Sequence, residues 1–366
     1  MIKVTLTNEI LRYITEIERN RYKVSSVKLS KTVMNKLRKN SKKKSSYASN
    51  KIEGNPLSEK QAEEVIESDE RKHYLKPEQE VRNYFLALNY LEEKLNNKEK
   101  LSKKLILDVQ KLVEKGAPKE KIGLRGPMPP GVLFAVYDSK TGNPDYIPPE
   151  YSDVPGLLDE LIEYVNTTDD HPLIVAAVVH YQLVTIHPFE DGNGRTARLL
   201  SGYIMDLNGY GFNGIGSLEE YFAYDIDEYY EAIQMGLPAL YYSGRENPPH
   251  PEIWINYFLR MVKLYSRKVC DLQLSSEEED IAGSLSFLKE REKELLVLLI
   301  SSYRGAFTPI EVSKQLSVTN KTVINRLAVL VKNGFVIPIL VNKRIRSYKL
   351  SEFAINHEKE IKEAVG

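Results

Sequence analysis

Residues 186–200 read IHPFEDGNGRTARLL, and within twelve of those positions stand a histidine, an aspartate, a Gly-Asn-Gly turn and two arginines. Gly192-Asn193-Gly194 does not sit comfortably inside a helix, yet the RTARLLSGYIMDL behind it has helical periodicity. The glycines therefore open a helix whose first N–H groups face outward at its positive end, a ready anion site. Arg195 and Arg198 are three positions apart, hence on one face of the first turns. Two guanidinium forks beside such a loop match a polyphosphate. A Walker A loop requires Gly-Lys-Ser/Thr at this point, which the loop lacks, so a nucleotide would be held in another manner. Asp191 could carry Mg²⁺ shared with phosphate oxygens. His187 could take a proton from an attacking hydroxyl, since imidazole titrates near neutrality. Phe189, between the polar residues, is expected to point into the core. Each residue alone has a plain structural reading, as a histidine behind a helix or arginines on a solvated face; their coincidence argues for a phosphate-transfer site.

Such a loop needs a helix on either side. The periodicity predicts helices over 172–186 and 195–207, and further ones over 59–67, 77–95, 102–114, 151–165, 218–235 and 250–269. His171 and His180 read as structural. The exception to the helical pattern is 123–149, where VLFAVY and DYI flank SKTGNP and predict a β-hairpin with Gly142, Asn143 and Pro144 at its tip. Residues 271–286 turn acidic and serine-rich, as a linker does. Beyond it, helices are predicted over 290–302, 308–316 and 320–334, then β-type stretches VIPILV and IRSYKL around the basic turn Asn342-Lys343-Arg344. The expected division is 1–76 as an N-terminal region, 77–270 as a catalytic core, 271–286 as a linker and 287–366 as a C-terminal domain.

Composition sets the outer limits. With 366 residues, 42% hydrophobic and 28% charged, the chain is an ordinary globular protein of two or three folding units. The single cysteine, Cys270, excludes an intramolecular disulfide and a multi-cysteine metal site. The start MIKVTLTNEILRY lacks an export signal and no apolar run reaches membrane-spanning length, so a soluble, cytoplasmic protein with no membrane partner is expected. The net charge of zero hides a segregation: 19–51 holds twelve Lys or Arg and no acid. The simplest account of that run is a solvated face.

The quoted stretch resembles the signature of the Fic (Fic/Doc) family, His-Pro-Phe-x-Asp/Glu-Gly-Asn-Gly-Arg-x-x-Arg, and matches it at His187, Pro188, Phe189, Asp191, Gly192, Asn193, Gly194, Arg195 and Arg198. The resemblance extends over roughly 30–270 and implies a mainly α, Fic-type helical core with a β-hairpin flap. It implies transfer of AMP from ATP to a Ser, Thr or Tyr hydroxyl of a target protein, possibly the chain itself, with pyrophosphate leaving. His187 would then be the base and Asp191 the Mg²⁺ ligand. Asn193 and the Gly192 and Gly194 amides would stabilise charge on the α-phosphate, Arg195 would hold the α- and β-phosphates, and Arg198 the γ-phosphate. Val132 and Phe134 on the flap would align the target segment. Tyr229 and Tyr230 resemble the family's tyrosine pair beside the adenine, although an Asn found there in some relatives is replaced by Gly236-Leu237. Phosphorylating Doc-type relatives carry Lys at the position of Asp191, which favours AMP transfer.

Upstream, SSYASNKIEGNPL reads on its own as a short polar helix closed by Gly54, with Pro56 behind. Within the resemblance, Ser49, Glu53 and Gly54 match the inhibitory motif Ser/Thr-x-x-x-Glu-Gly/Asn, so Glu53 would pair with Arg198 and displace the γ-phosphate. In some relatives this glutamate also supports AMP removal, which makes a bifunctional AMPylase/de-AMPylase a further implication. The C-terminal pattern resembles a winged helix-turn-helix that would present Lys321, Asn325 and Arg326 on its third helix and Lys343, Arg344 and Arg346 on its wing, groups suited to a DNA groove. Docking on protein is the simpler alternative. The competing overall reading is a nucleotide-sensing, DNA-binding transcription regulator; a homodimer is compatible with either.

Overall fold

A computed structural model describes residues 2–365 apart from 28, 30, 69, 70, 72, 133, 138–141, 143, 236–247, 249, 342 and 343. In chain order its elements are α1 (Asn8–Ser26), α2 (Lys31–Ile52), α3 (Glu59–Glu67), α4 (Lys76–Asn96), α5 (Lys103–Val113), β1 (Val136–Tyr137), β2 (Pro144–Tyr146), α6 (Val154–Thr167), α7 (Pro172–Ile186), α8 (Asn193–Leu207), α9 (Glu219–Phe222), α10 (Ile226–Gln234), α11 (Pro251–Ser286), α12 (Glu290–Ser302), α13 (Pro309–Leu316), α14 (Asn320–Lys332), β3 (Val336–Val341), β4 (Arg344–Leu350), α15 (Glu352–Asn356) and α16 (Glu358–Val365). The architecture is mainly α. The chain divides into two compact units, Met1–Val24 with Lys36–Val269, and Ser25–Asn35 with Cys270–Gly366.

The first unit is organised around α7. This helix is apolar all round, so burial is its stable state, and thirteen of its fifteen residues are buried. α8 packs against α7, α4 and α5 pack against α8, and α6 lies on α7. His180, in mid-α7, is fully buried, bonded to Ser201 and Tyr229 and ringed by Phe222, Trp254 and Phe258. Burial holds its pKa well below the ordinary value, so it stays neutral as a structural residue.

The basic residues along α2 find their acids within the same unit. Lys42 pairs with Glu92 at 2.5 Å, Lys43 with Glu67 at 2.6 Å, and Lys44 with Glu220 at 3.1 Å. Arg38 donates to the Asn213 carbonyl at 2.6 Å. These side chains join α2 to α3, α4 and α9, and the serines on α2's inner face do the same. Ser45 Oγ donates to the buried Glu219 at 2.7 Å, which also accepts from Tyr84 at 2.9 Å and Ser217 at 3.1 Å. Gly54 (φ +80°) closes the helix, its N–H on Lys51 O and the Asn55 N–H on Asn50 O.

Several sequence expectations need correction. The segment before Gly54 is no short helix but the end of the 22-residue α2. The helix expected over 218–235 is two, α9 and α10, because Asp225 takes an extended conformation and its carboxylate caps the Glu228 N–H at 2.9 Å. The hairpin strands are shorter than their apolar runs: Val136 pairs with Tyr146 and Tyr137 with Pro144, with a register shift between. Pro144 thus belongs to β2, and Asn143 lies outside the described residues. The acidic stretch 271–286 is not an open linker, for α11 continues through it to Ser286. Its apolar residues explain this, since Ile281 and Leu285 are buried in the core of the second unit with Leu296, Leu299, Leu327 and Phe335.

In the second unit, α12, α13 and α14 are followed by the antiparallel pair β3–β4, in which Val336 faces Leu350 and Val341 faces Arg344. Lys321 and Asn325 are exposed on α14 and Arg326 is partly exposed; Arg344 and Arg346 are exposed on β4. Lys343 lies outside the described residues.

Candidate active site

The α7–α8 turn is built from its own backbone demands. His187 caps α7 in the left-handed region (φ 50°, ψ 57°), and Gly192 (φ 80°, ψ 10°) precedes α8. Phe189 is fully buried and bridges to Leu124, which anchors the turn. The first intrahelical bond of α8 runs from the Thr196 N–H to Gly192 O at 2.9 Å, so the amides of Asn193, Gly194 and Arg195 stand ahead of it at the positive helix end. Asn193 departs from expectation. Its side chain closes on Phe189, accepting from the Phe189 N–H at 3.0 Å and donating to Phe189 O at 2.9 Å, so it shapes the loop instead of reaching toward a phosphate.

Arg195 is 5% exposed and donates through one terminal nitrogen to Glu114 at 2.9 Å and to Asp191 at 3.2 Å. Its other two guanidinium nitrogens are buried without a hydrogen-bond partner among the described residues, donor capacity that phosphate oxygens could take up. Burial raises the pKa of Glu114, with Arg195 pulling against it. For Asp191 burial also pushes upward, but Arg195, the Gly192 N–H and Lys121, whose ammonium stands 3.4 Å away, prevail and hold the carboxylate ionised. Gly192 is needed here: a Cβ would lie 2.8 Å from Glu114 Oε1 and the φ is positive.

Arg198, 3% exposed, is held from α2. Its Nε donates to Ser49 Oγ at 2.8 Å, and one terminal nitrogen reaches Ser49 O at 3.0 Å and Glu53 Oε1 at 2.6 Å; the other meets the Tyr229 hydroxyl at 3.3 Å. Burial works against its charge, yet Glu53 and the two tyrosine hydroxyls more than offset it, so its pKa is raised. The Glu53 carboxylate lies across the helix N-terminus itself, for a Cβ on Gly194 would stand 2.4 Å from Oε1. A carboxylate thus lies beside the positive end of α8.

His187 Nδ1 lies 3.1 Å from Val184 O. A carbonyl only accepts, so Nδ1 carries the proton and Nε2 is left as the acceptor. Burial lowers the imidazole's pKa to about 4, with Arg125 adding to the effect, so the ring is neutral at physiological pH. The flap reaches it through Phe134, whose ring centroid is 6.0 Å from that of His187. Val132 is 51% exposed, at the flap's outer side. Arg125 stacks on Phe134 at 4.7 Å and donates to His187 O at 2.8 Å.

The expected adenine tyrosines separate. Tyr229 is 1% exposed, its hydroxyl spent on His180 and Arg198, so it supports the arginine from beneath and does not wall an open pocket. Tyr230 is 42% exposed, its hydroxyl 3.5 Å from Ile52 O beside Glu53. Positions 236 and 237 lie outside the described residues. Glu114, Lys121 and Arg125 were missed by sequence reasoning. Each contacts the site from 60 or more positions away in the chain, and none stands in a motif.

Among the described residues no helix is long and apolar enough to cross a membrane, and no group of three or more His, Cys, Asp or Glu could hold a metal ion. Residues 50–205 match the model of the Fic/DOC family. The protein adenylyltransferase Fic of Drosophila grimshawi is 27% identical over 206 residues, 54% of this chain and 40% of its own length. That of Drosophila mojavensis is 28% identical over 206 residues, 54% of this chain and 38% of its own length. The chain therefore spans about two fifths of the length of the curated relatives it matches. Among solved structures, a Fic family protein from Desulfovibrio desulfuricans G20 covers 96% of this chain and 98% of its own, with a TM-score of 0.58 at 20% identity. Fic-1 (residues 134–508) of C. elegans covers 73% and 72%, with a TM-score of 0.55 at 23% identity. The helical fold is the one these structures share, and residues 50–205 are the part of the chain similar to the Fic/DOC family.

Proposed function

We propose that the chain is an auto-inhibited protein adenylyltransferase that moves AMP from ATP to a hydroxyl of a target protein. The observation that carries this reading is the Glu53 carboxylate lying against Gly194 and bonded to the buried Arg198, an anion already seated at the helix terminus where a triphosphate would enter. Arg195, with two unpaired buried donors, and the leading amides of α8 would hold the phosphates. Asp191 fits a magnesium ion, being ionised, about one third exposed and one residue before the anion loop. A single protein carboxylate completed by substrate phosphates is a usual way of holding Mg²⁺, which would neutralise phosphate charge.

In the transfer, His187 Nε2 takes the proton of the target hydroxyl as that oxygen bonds to the α-phosphorus. The α–β bridging bond breaks and pyrophosphate leaves. The α8 amides face the charge that develops on the α-phosphate. Phe134 and Val132 would steady the target segment beside the imidazole. A regulator that only sensed nucleotide would need the arginines but no acceptor nitrogen; the neutral His187, with Nδ1 tied to Val184 and Nε2 left as acceptor, favours the enzyme.

The test is transfer from α-labelled ATP in the presence of Mg²⁺, comparing the parent, Glu53→Gly, and Glu53→Gly with His187→Ala. Strong labelling in the second alone is expected, and labelling that survives His187→Ala overturns the assignment. For the second unit, the order α12, α13, α14, β3, β4 and the exposure of Lys321, Asn325, Arg344 and Arg346 support a winged helix-turn-helix that binds DNA. A salt-dependent gel shift, lost in Lys321→Glu/Arg344→Glu, tests it.

A further inference from the structure

His187 holds a left-handed backbone, a state that costs a residue with a side chain about 1–2 kcal/mol and persists only where its surroundings over-determine it. Arg125, 6% exposed, supplies much of that determination. Its own N–H donates to Pro188 O at 2.9 Å, and its Nε donates to His187 O at 2.8 Å, so it brackets the His187-Pro188 peptide. A terminal nitrogen donates to Pro149 O at the far base of the flap, and the guanidinium plane covers Phe134 at 4.7 Å. Tyr146 of β2 fastens the same base by donating to Thr185 O. One planar group thus holds the carbonyl of the imidazole residue, the root of the flap and the flap's aromatic ring.

We infer that Arg125 is a positioning residue for the proposed transfer, locking the His187 backbone and the flap into one body so that imidazole and target segment stay in mutual register. The inference rests on the reading of His187 as the base. Lysine could not replace it, because an ammonium presents no plane to Phe134 and no rigid fork to two carbonyls. The charged groups acting on His187 are Arg125, Glu53 and Asp191. Removing the Arg125 charge leaves two carboxylates, and the imidazole should then titrate higher.

The experiment uses the full chain with Arg125→Lys and Arg125→Met. His187 ring resonances are titrated by NMR, assigned by loss in His187→Gln, and label transfer is followed in the Glu53→Gly background. Arg125→Met should move the His187 pKa upward. Arg125→Lys should leave it near the parent value. Both should lower kcat on the order of tenfold to a hundredfold, the usual consequence of a misplaced reacting group, with the KM for ATP little changed. An unmoved titration in Arg125→Met, or full turnover in Arg125→Lys, overturns the inference; if the methionine variant fails to fold, the lysine variant decides. If Glu53→Gly itself transfers no label, the reading of His187 as base falls, and the NMR titration still decides whether Arg125 holds the ring.

Discussion

Glu53→Gly isolates the proposed brake. The carboxylate it removes makes one 2.6 Å bond to a terminal nitrogen of Arg198, while Ser49 Oγ at 2.8 Å, Ser49 O at 3.0 Å and the Tyr229 hydroxyl at 3.3 Å remain. The arginine thus keeps its place and gains a free donor aimed at the α8 terminus. A hydrogen bond between charged groups contributes about 1.5–3 kcal/mol, and the Glu53 side chain, one third exposed, belongs to the lower half of that range. If a triphosphate must displace this bond to reach Arg198, removing it should raise transfer at fixed ATP by about 10- to 50-fold, since each 1.36 kcal/mol is tenfold in rate. Glu53→Gln, which keeps a weaker acceptor, should fall between. The assay is initial-rate label transfer over an ATP series, with calorimetry for ATP binding to each variant. Equal rates in parent and Glu53→Gly, or a glutamine variant more active than the glycine variant, would refute the reasoning.

Other consequences follow from single contacts. In Gly194→Ala the new Cβ would lie 2.4 Å from Glu53 Oε1, so it should destabilise the parent by roughly 1–3 kcal/mol yet cost much less in the Glu53→Gly background. Thermal unfolding of the four proteins closes that cycle, and additive effects would mean the carboxylate does not sit there. Folded His187 and His180 stay neutral below pH 6.5, His187 until about pH 4, whereas unfolded histidines take up protons near 6.5. The unfolded state then binds more protons, so stability is full above pH 6.5 and declines as pH falls toward 4, by roughly 1.4 kcal/mol per pH unit per group. Urea midpoints at pH 7 and 5 measure it, and His187→Gln should halve the drop. Asp206 has the opposite sign: burial, with Glu219 and Glu92 adding to it, pushes its pKa up to about 7, so the folded state holds a proton that the unfolded state has lost. Its contribution to stability declines as pH rises from about 4 to 7, and Asp206→Asn should raise the urea midpoint at pH 8 but not at pH 4; a lower midpoint at pH 8 would contradict this.

Helices were legible in the sequence wherever the apolar period was unambiguous, as in α4, α5 and α7, and the expected starts of α3 at 59 and α14 at 320 coincide with the observed ones, where the structure shows Ser58 and Thr319 capping the first turn. The sequence alone also placed a glycine turn at the start of α8, because glycines ahead of a helical period mark where the helix opens. It failed where local pattern and packing disagreed. Acidic 271–286 resembled a linker, yet Ile281 and Leu285 had a core to enter. The basic residues of α2 resembled an open charged face, yet Glu67, Glu92 and Glu220 were waiting on three other helices. Only the tertiary structure decided that Glu114 meets Arg195 and that Arg125 meets His187; the pairing of Glu53 with Arg198 was implied by the family resemblance and not by local pattern. Glu53 comes to Arg198 across 145 positions, Glu114 to Arg195 across 81, and Arg125 to His187 across 62. Local periodicity records the face a residue presents, whereas pairing across such separations is set by how α2, α5 and the flap pack around α7 and α8, and by the cost of leaving a buried guanidinium without a partner.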